Sequence, residues 1–369
     1  MVAMGMGRFA FTPILPNMQA EAHFSNGLAG LMASLNLLGY LVGALAGGRV
    51  PPAWRNAAYR AGVIAAVAML AAMALPLGVV GWTVVRLAAG LASGVMFVLA
   101  TAFVLENGAA TGPTGAALHF AGIGLGITLS GIIVQCDPEW HREWMELAAL
   151  GVVLAIPAWR LSSHPLLPAD HPTRSGANAP RSLIGILTLA YCLEGLGYIV
   201  SGTFLVSVLR GLPETAQLGP LAWVIVGLAA APSVLMWARL GRRIGPWRAL
   251  AVAYVVQTVG VALPLAGGAA AALVSAVLYG GTFAGIVSLS LSLAAALEPA
   301  AAGRATARIT VLYGIGQALG PLLAGLMASG AAGFALPLAA AAAVLAAAAV
   351  LSLLGHALAI KAAKAARVG

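Results

Sequence analysis

Residues 182–209, SLIGILTLAYCLEGLGYIVSGTFLVSVL, form an unbroken run of 28 residues whose single charge is Glu194. A helix of roughly 20 apolar residues crosses the hydrocarbon of a bilayer, so this stretch reads as a transmembrane helix with an acid near its middle. The rest of the chain repeats the pattern. Of 369 residues 61 % are hydrophobic and only 8 % charged, at a mean hydropathy of +0.98, whereas a soluble domain carries roughly 25 % charged residues. A soluble globule is excluded. The 46 Gly and 20 Pro sit inside apolar runs without a Gly-X-Y period or a polar low-complexity tract, which excludes collagen and disorder as well.

Outward from residues 182–209, apolar segments fall near 1–19, 27–48, 61–80, 82–105, 115–135 and 144–160, then near 218–240, 249–266, 269–296, 308–329 and 333–358. The expectation is an all-α polytopic membrane protein with twelve transmembrane helices in two six-helix lobes. Residues 1–160 make the N-terminal lobe, 161–181 a Pro-rich polar linker and 182–369 the C-terminal lobe. Of the 19 basic residues, 15 fall on one side of this arrangement, Arg142 and Arg210 on the other, and Arg8 and Arg86 within helices. The positive-inside rule then expects both termini in the cytoplasm, in a bacterial inner membrane. The scattered charges make no concentrated basic face, so no nucleic acid is expected as partner. Cys136 and Cys192 are far apart and the histidines stand alone, so no metal or other cofactor is expected. Arg8 interrupts the opening apolar run, which has no basic n-region or cleavage site, so the first helix is expected to be retained.

The two halves echo one another at an offset of 190 residues: Gly5, Gly7 and Phe9 fall on Gly195, Gly197 and Ile199, and Gly126 falls on Gly316. Parallel repeats of this kind occur in carriers that bind at the midplane between halves. Moved back by the same offset, the seventh helix would start about eight residues ahead of Met1, so the chain is expected to begin inside its first helix.

GMGRFAFTPILPNM (residues 5–18), HFAGIGLGI (119–127) and YCLEGLGYIVSGTFLV (191–206) resemble the YbfB/YjiJ-type branch of the major facilitator superfamily. The likeness extends over all twelve segments. It implies the major facilitator fold, two pseudo-symmetric lobes, alternating access, and a central cavity lined by helices 1, 4, 7 and 10. The chain departs from the superfamily's pattern between helices 2 and 3, where GGRVPPAWRNAAYR keeps arginines but has no Asp. GRRIGPWR after helix 8 lacks it too.

An ionisable side chain within the hydrocarbon is a functional candidate, because it is expensive to place there. Glu194 shares a helical face with Tyr191, Tyr198 and Ser201 and is the candidate for proton exchange and for substrate contact. Arg8 lies at the depth of residue 198 in the repeat frame, with Thr12 and Gln19 on its face. Its guanidinium fork suits a carboxylate or phosphate, and pairing with Glu194 across the cavity is the competing expectation. Arg86 either reaches the cavity beside Gly90, Ser93, Gly94 and Phe97 or snorkels to the outer interface. His119, on a face with Gly122, Gly126 and Ser130, is a second candidate proton relay. Thr310, Tyr313, Gln317 and Pro321 form one more polar face, within a GQALGPLLAG stretch similar to the superfamily's antiporter motif but in the other half. GIGLG at 122–126 has no preceding strand and reads as helix packing rather than a dinucleotide turn.

These residues predict a secondary active transporter of a small organic solute, acting as a monomer and coupled to protons. Arg8, Thr12, Arg86, Glu194, Tyr198 and Gln317 are expected to contact substrate, an organic anion, while Glu194 and His119 handle protons. The alternative is proton-driven efflux of lipophilic or cationic compounds, with Glu194 binding proton and cargo in turn. Enzymatic activity is not expected: no acid cluster and no nucleophile–base pair stands near an interface.

Overall fold

The computed structural model describes residues 2–106, 108–136, 139–161, 179–328 and 333–368, with side chains described over 5–103, 121–136, 139–159, 179–328 and 333–365. The described residues are helical, with no strand among them. Helix α1 runs Val2–Phe9 and resumes as Phe11–Ala22. It is followed by α2 Asn26–Gly47, α3 Arg55–Met73, α4 Gly78–Glu106, α5 Gly108–Cys136, α6 Trp140–Leu161, α7 Arg181–Arg210, α8 Gly219–Ile244, α9 Pro246–Ala262, α10 Ala269–Leu297, α11 Ala302–Met327 and α12 Ala335–Val368. Nine of the described helices are long and apolar enough to cross a membrane, and Ala121–Cys136 adds a shorter apolar stretch. The linker expected at 161–181 falls largely on 162–178, outside the described residues.

The departures from the expected boundaries have local causes. Helix α1 is interrupted at Ala10 because Pro13, three residues on, has no N–H for the Phe9 carbonyl and its ring presses on that group. Helix α3 begins at Arg55 rather than 61. The single turn Pro52–Trp54 starts the helix, and Arg60 lies over the Trp159 ring at 4.9 Å, so the arginines counted as loop charges belong to its first turns. It stops at Met73 because Pro76 follows and Gly78 turns the chain at φ 67. Helix α12 extends past 358 because Lys361 and Lys364 fit its exposed end.

Consecutive helices alternate in direction, which gathers Arg49, Arg55, Arg239, Arg242, Arg243 and Arg248 at one end of the bundle and Glu21, Glu139 and Glu214 at the other. Within the first half α2 packs on α4 and α1 on α5; within the second, α8 packs on α10 and α7 on α11 and α12. Contacts of α2 with α11 and of α5 with α8 join the halves.

The repeat is realised in the packing. Gly5 meets Gly126 where α1 crosses α5, so close that a Cβ on Gly5 would lie 2.7 Å from the Gly126 Cα. Their repeat mates Gly195 and Gly316 meet in the same way where α7 crosses α11: a Cβ on Gly195 would run into the Tyr313 carbonyl, and one on Gly316 into that of Cys192. Small residues at such crossings let two backbones touch, which is how helices associate where lipid removes the hydrophobic driving force.

Candidate functional site

Helices α1 and α7, the first of each half, face one another along the seam. Arg8 donates from Nη2 to the Tyr198 hydroxyl at 3.2 Å, and Thr12 donates to the Gly202 carbonyl, both pairs separated by 190 residues. Residues related by the repeat therefore touch their own counterparts, which puts the pseudo-two-fold axis between Arg8 and Tyr198. The Arg8 guanidinium is buried, lies 4.8 Å from the centroid of Tyr40 and 5.0 Å from that of Phe9, and its Nε has no described partner. Gln317 on α11 also donates to the Tyr198 hydroxyl. The Tyr198 hydroxyl is also hydrogen-bonded to Tyr313, so it gathers Arg8, Gln317 and Tyr313 at one point.

Arg86 is fully enclosed, at 2 % exposure. It does not snorkel. From α4 its Nη1 and Nη2 reach the carbonyls of Gly7 and Arg8, at 2.9 and 3.2 Å, next to the interruption at Ala10. The guanidinium also lies over the Phe11 ring at 4.6 Å, and Asn36 on α2 holds the Arg86 carbonyl at 2.7 Å. Arg86 thus fixes the broken helix that carries Arg8. Between them lies a void of about 10 Å³ lined by Arg8, Thr12, Asn36 and Arg86 among others, with Arg86 Nε and Asn36 Oδ1 unpartnered beside it. That is room for a single water.

A larger cavity of about 140 Å³ begins at Arg8, Tyr198 and Gln317 and extends toward the basic end as far as Ala44, Leu291 and Thr310. One wall carries a stack of nearly parallel rings from the second half. Tyr191 stacks on Tyr313 at 4.2 Å and 6°, Tyr198 lies 9° from Tyr313, and Phe283 lies 15° from Tyr198. The first half contributes Arg8, Phe9, Tyr40, Leu41, Phe97 and Ile123. Helices 1, 4, 7 and 10 do line this cavity, joined by α2, α5 and α11.

Residues 1–353 match the family described as uncharacterised MFS-type transporter YbfB. The chain belongs to this family. No curated protein matches it. Among solved structures, a point mutant of the nucleoside transporter NupG superposes with a TM-score of 0.76 at 16 % identity, covering 96 % of this chain and 98 % of that one. A bacterial homologue of the human lysosomal transporter Spinster, in an inward-facing and occupied conformation, gives 0.74 at 13 % identity, with 96 % and 94 % covered. A D-xylose–proton symporter gives 0.73 at 15 %, with 95 % and 94 % covered. At these identities the likeness shows the fold alone: this is a multi-pass membrane protein of the major facilitator fold.

In this family member the candidate residues separate into groups. Arg8, Tyr198 and Gln317 stand on the cavity wall; Thr12 and Arg86 line the small void behind Arg8. Arg8 and Glu194 do not pair, contrary to one expectation. Glu194 is fully buried away from the cavity wall, its Oε1 accepting from Gln257 Nε2 on α9 at 3.1 Å while Oε2 has no described partner. The reason is angular. At 3.6 residues per turn Tyr191 and Tyr198 both fall to one side of Glu194, so turning the tyrosines to the cavity turns the acid toward α9. The side chain of His119 lies outside the described residues. Gln257, buried in apolar α9, and Asn36, buried in apolar α2, were not among the candidates, although a lone amide in the middle of an apolar helix is itself a signal.

The halves are tied together from the level of Arg8 toward the acidic end. Beyond Thr12, Arg210 on α7 donates from Nη1 to the Asn17 side-chain Oδ1, and Asn17 Nδ2 donates to the buried Glu143 of α6 at 2.9 Å. Asn26 reaches the Ala328 carbonyl at 3.4 Å and Ser34 accepts from Leu322 N at 3.0 Å. These bonds bridge the halves at that end, outside which a separate pocket of about 480 Å³ lies against Asn17, Gln135 and Arg210, and the Arg8 cavity extends toward the other end.

Proposed function

We propose that the protein is a proton-coupled carrier of a small organic anion in the bacterial inner membrane, with residues 1–160 and 182–369 rocking as two lobes against one another. The observation that carries this reading is the pair Arg8 and Arg86: two enclosed guanidinium groups in one region, with no ion pair to a carboxylate among the described residues. Burying a cation without a counter-charge costs several kcal/mol even after relaxation. Arg86 recovers part of that through two carbonyls, whereas Arg8 has only phenol and ring faces. An anionic cargo supplies the missing charge. The positive-inside rule puts the basic end in the cytoplasm, so the cavity faces inward here. Glu194, enclosed between α7 and α9 with one oxygen unpartnered, is the group for the coupled proton, and binding at Arg8 is relayed to it along α7. Thr12 and Gln317 position Arg8 and Tyr198 for the cargo. The monomer is the working unit.

Cation efflux is less well supported, because the described cavity wall offers a cationic cargo Arg8 and no carboxylate. The test is uptake into proteoliposomes under an inward proton gradient. Small carboxylates accumulate with the wild type, Arg8→Ala abolishes accumulation, and Glu194→Gln retains binding but loses the response to the gradient. Accumulation or export of lipophilic cations that is indifferent to Arg8→Ala would overturn the reading.

A further inference from the structure

The shape of the cavity narrows the cargo further. We propose that it takes a planar, monocyclic aromatic monocarboxylate, with its ring against the Tyr313, Tyr198 and Phe283 rings and its carboxylate on Arg8. This deepens the anion reading above and rests on it.

Four observations converge. First, the volume of about 140 Å³ is that of a single ring, since an apolar cavity of about 150 Å³ holds one benzene. A second fused ring would exceed that volume and extend out toward the basic end. Second, the second half supplies a stack of rings, each within 6° to 15° of its neighbour, and a planar ring extends such a stack better than a puckered one. Third, the lining is mainly apolar and its one charge stands at one end. Arg8, the Tyr198 hydroxyl and Gln317 meet there, while Tyr40, Tyr191, Tyr313 and Thr310 are the other lining residues that carry hydroxyls. A neutral sugar or nucleoside brings no counter-charge for Arg8. Fourth, one guanidinium faces the cavity, since that of Arg86 is engaged with the Gly7 and Arg8 carbonyls. A dicarboxylate would bring a second charge without a partner. The donor set also fits a carboxylate: a guanidinium beside the side-chain amide of Gln317 and the Tyr198 hydroxyl.

The experiment is equilibrium binding to the detergent-purified full chain with four probes: benzoate, cyclohexanecarboxylate, 2-naphthoate and benzamide. Benzoate is expected to bind about three- to tenfold more tightly than cyclohexanecarboxylate, the range that aromatic pairing supplies, and more than tenfold more tightly than naphthoate or benzamide. Phe283→Leu equalises benzoate and cyclohexanecarboxylate while both still bind, and Arg8→Gln removes both. If cyclohexanecarboxylate binds as tightly as benzoate in an Arg8-dependent manner, the aromatic inference is overturned and the anion carrier stands. If no carboxylate binds to monodisperse protein, both fall. Should Phe283→Leu not yield monodisperse protein, the ranking of the four probes on the wild type decides.

Discussion

Helices α1 and α7 occupy equivalent places in the two halves and have diverged in almost every chemical respect. Helix α7 runs uninterrupted over 30 residues, turns tyrosines to the cavity and hides its one acid behind them. Helix α1 is broken at Ala10, carries Pro13 and Pro16, and presents a guanidinium at the position where α7 has a phenol. The glycine crossings that hold the two helices to their own halves are nevertheless the same. A duplicated scaffold thus keeps its backbone contacts while dividing the chemistry, with the cation in one copy and the aromatic wall in the other.

The sharpest way to break this comparison is to exchange the pair on the axis. Arg8→Tyr is expected to weaken carboxylate binding by about 30-fold or more, from a loss of roughly 2 kcal/mol or greater for a buried charge-assisted contact. Tyr198→Arg alone opposes two guanidinium groups and also fails. The double exchange returns the cation to the same seam from the other side, and its affinity is expected within about tenfold of wild type. A double variant no better than Arg8→Tyr would mean that the two positions are not equivalent. Such non-additivity is what a direct contact produces.

A smaller effect separates glycines that the repeat makes equivalent from those that the packing uses. Gly195→Ala would drive a Cβ into the Tyr313 carbonyl, an overpacking worth about 1–3 kcal/mol, and a lower apparent Tm in detergent follows. Gly7→Ala meets nothing within 4 Å and replaces a helical glycine, so it is neutral or raises stability by up to about 1 kcal/mol. Equal melting of the two variants would break the argument. The smallest effect concerns the neighbouring axial pair. Thr12→Val deletes the hydrogen bond to the Gly202 carbonyl, about 0.5–1.5 kcal/mol, and loosens the bridged end. Labelling of a cysteine placed at the enclosed Met18, with Cys136 and Cys192 replaced, should rise about two- to tenfold, and unchanged labelling would assign Thr12 no part in holding it.

Much of this architecture is legible without coordinates. Apolar length and charge sidedness give the helices, and the 190-residue offset aligns the glycines that form both crossings and puts residue 8 at the depth of residue 198. What sequence does not give is the direction in which each face turns. Tyr191, Glu194 and Tyr198 lie near enough on the helix to be read as one stripe, yet a few tens of degrees decide that the tyrosines meet the cavity and the acid meets Gln257. Arg86 illustrates the same limit: its position near a helix end suggests escape to water, and only the fold brings the carbonyls of a broken α1 within its reach. The Asn17–Glu143–Arg210 tie joins residues 126 and 193 positions apart, and no local pattern announces it.

The place of Arg8 and Tyr198 has a mechanical consequence. They meet at the seam between the halves, so in the proposed rocking of two lobes the pivot lies close to them. Displacement in such a motion grows with distance from the pivot, so the ends of the helices sweep widely while this contact barely shifts. On the proposed mechanism a cargo held at Arg8 therefore need not travel between one reception point and another, and the doors move around a single fixed seat.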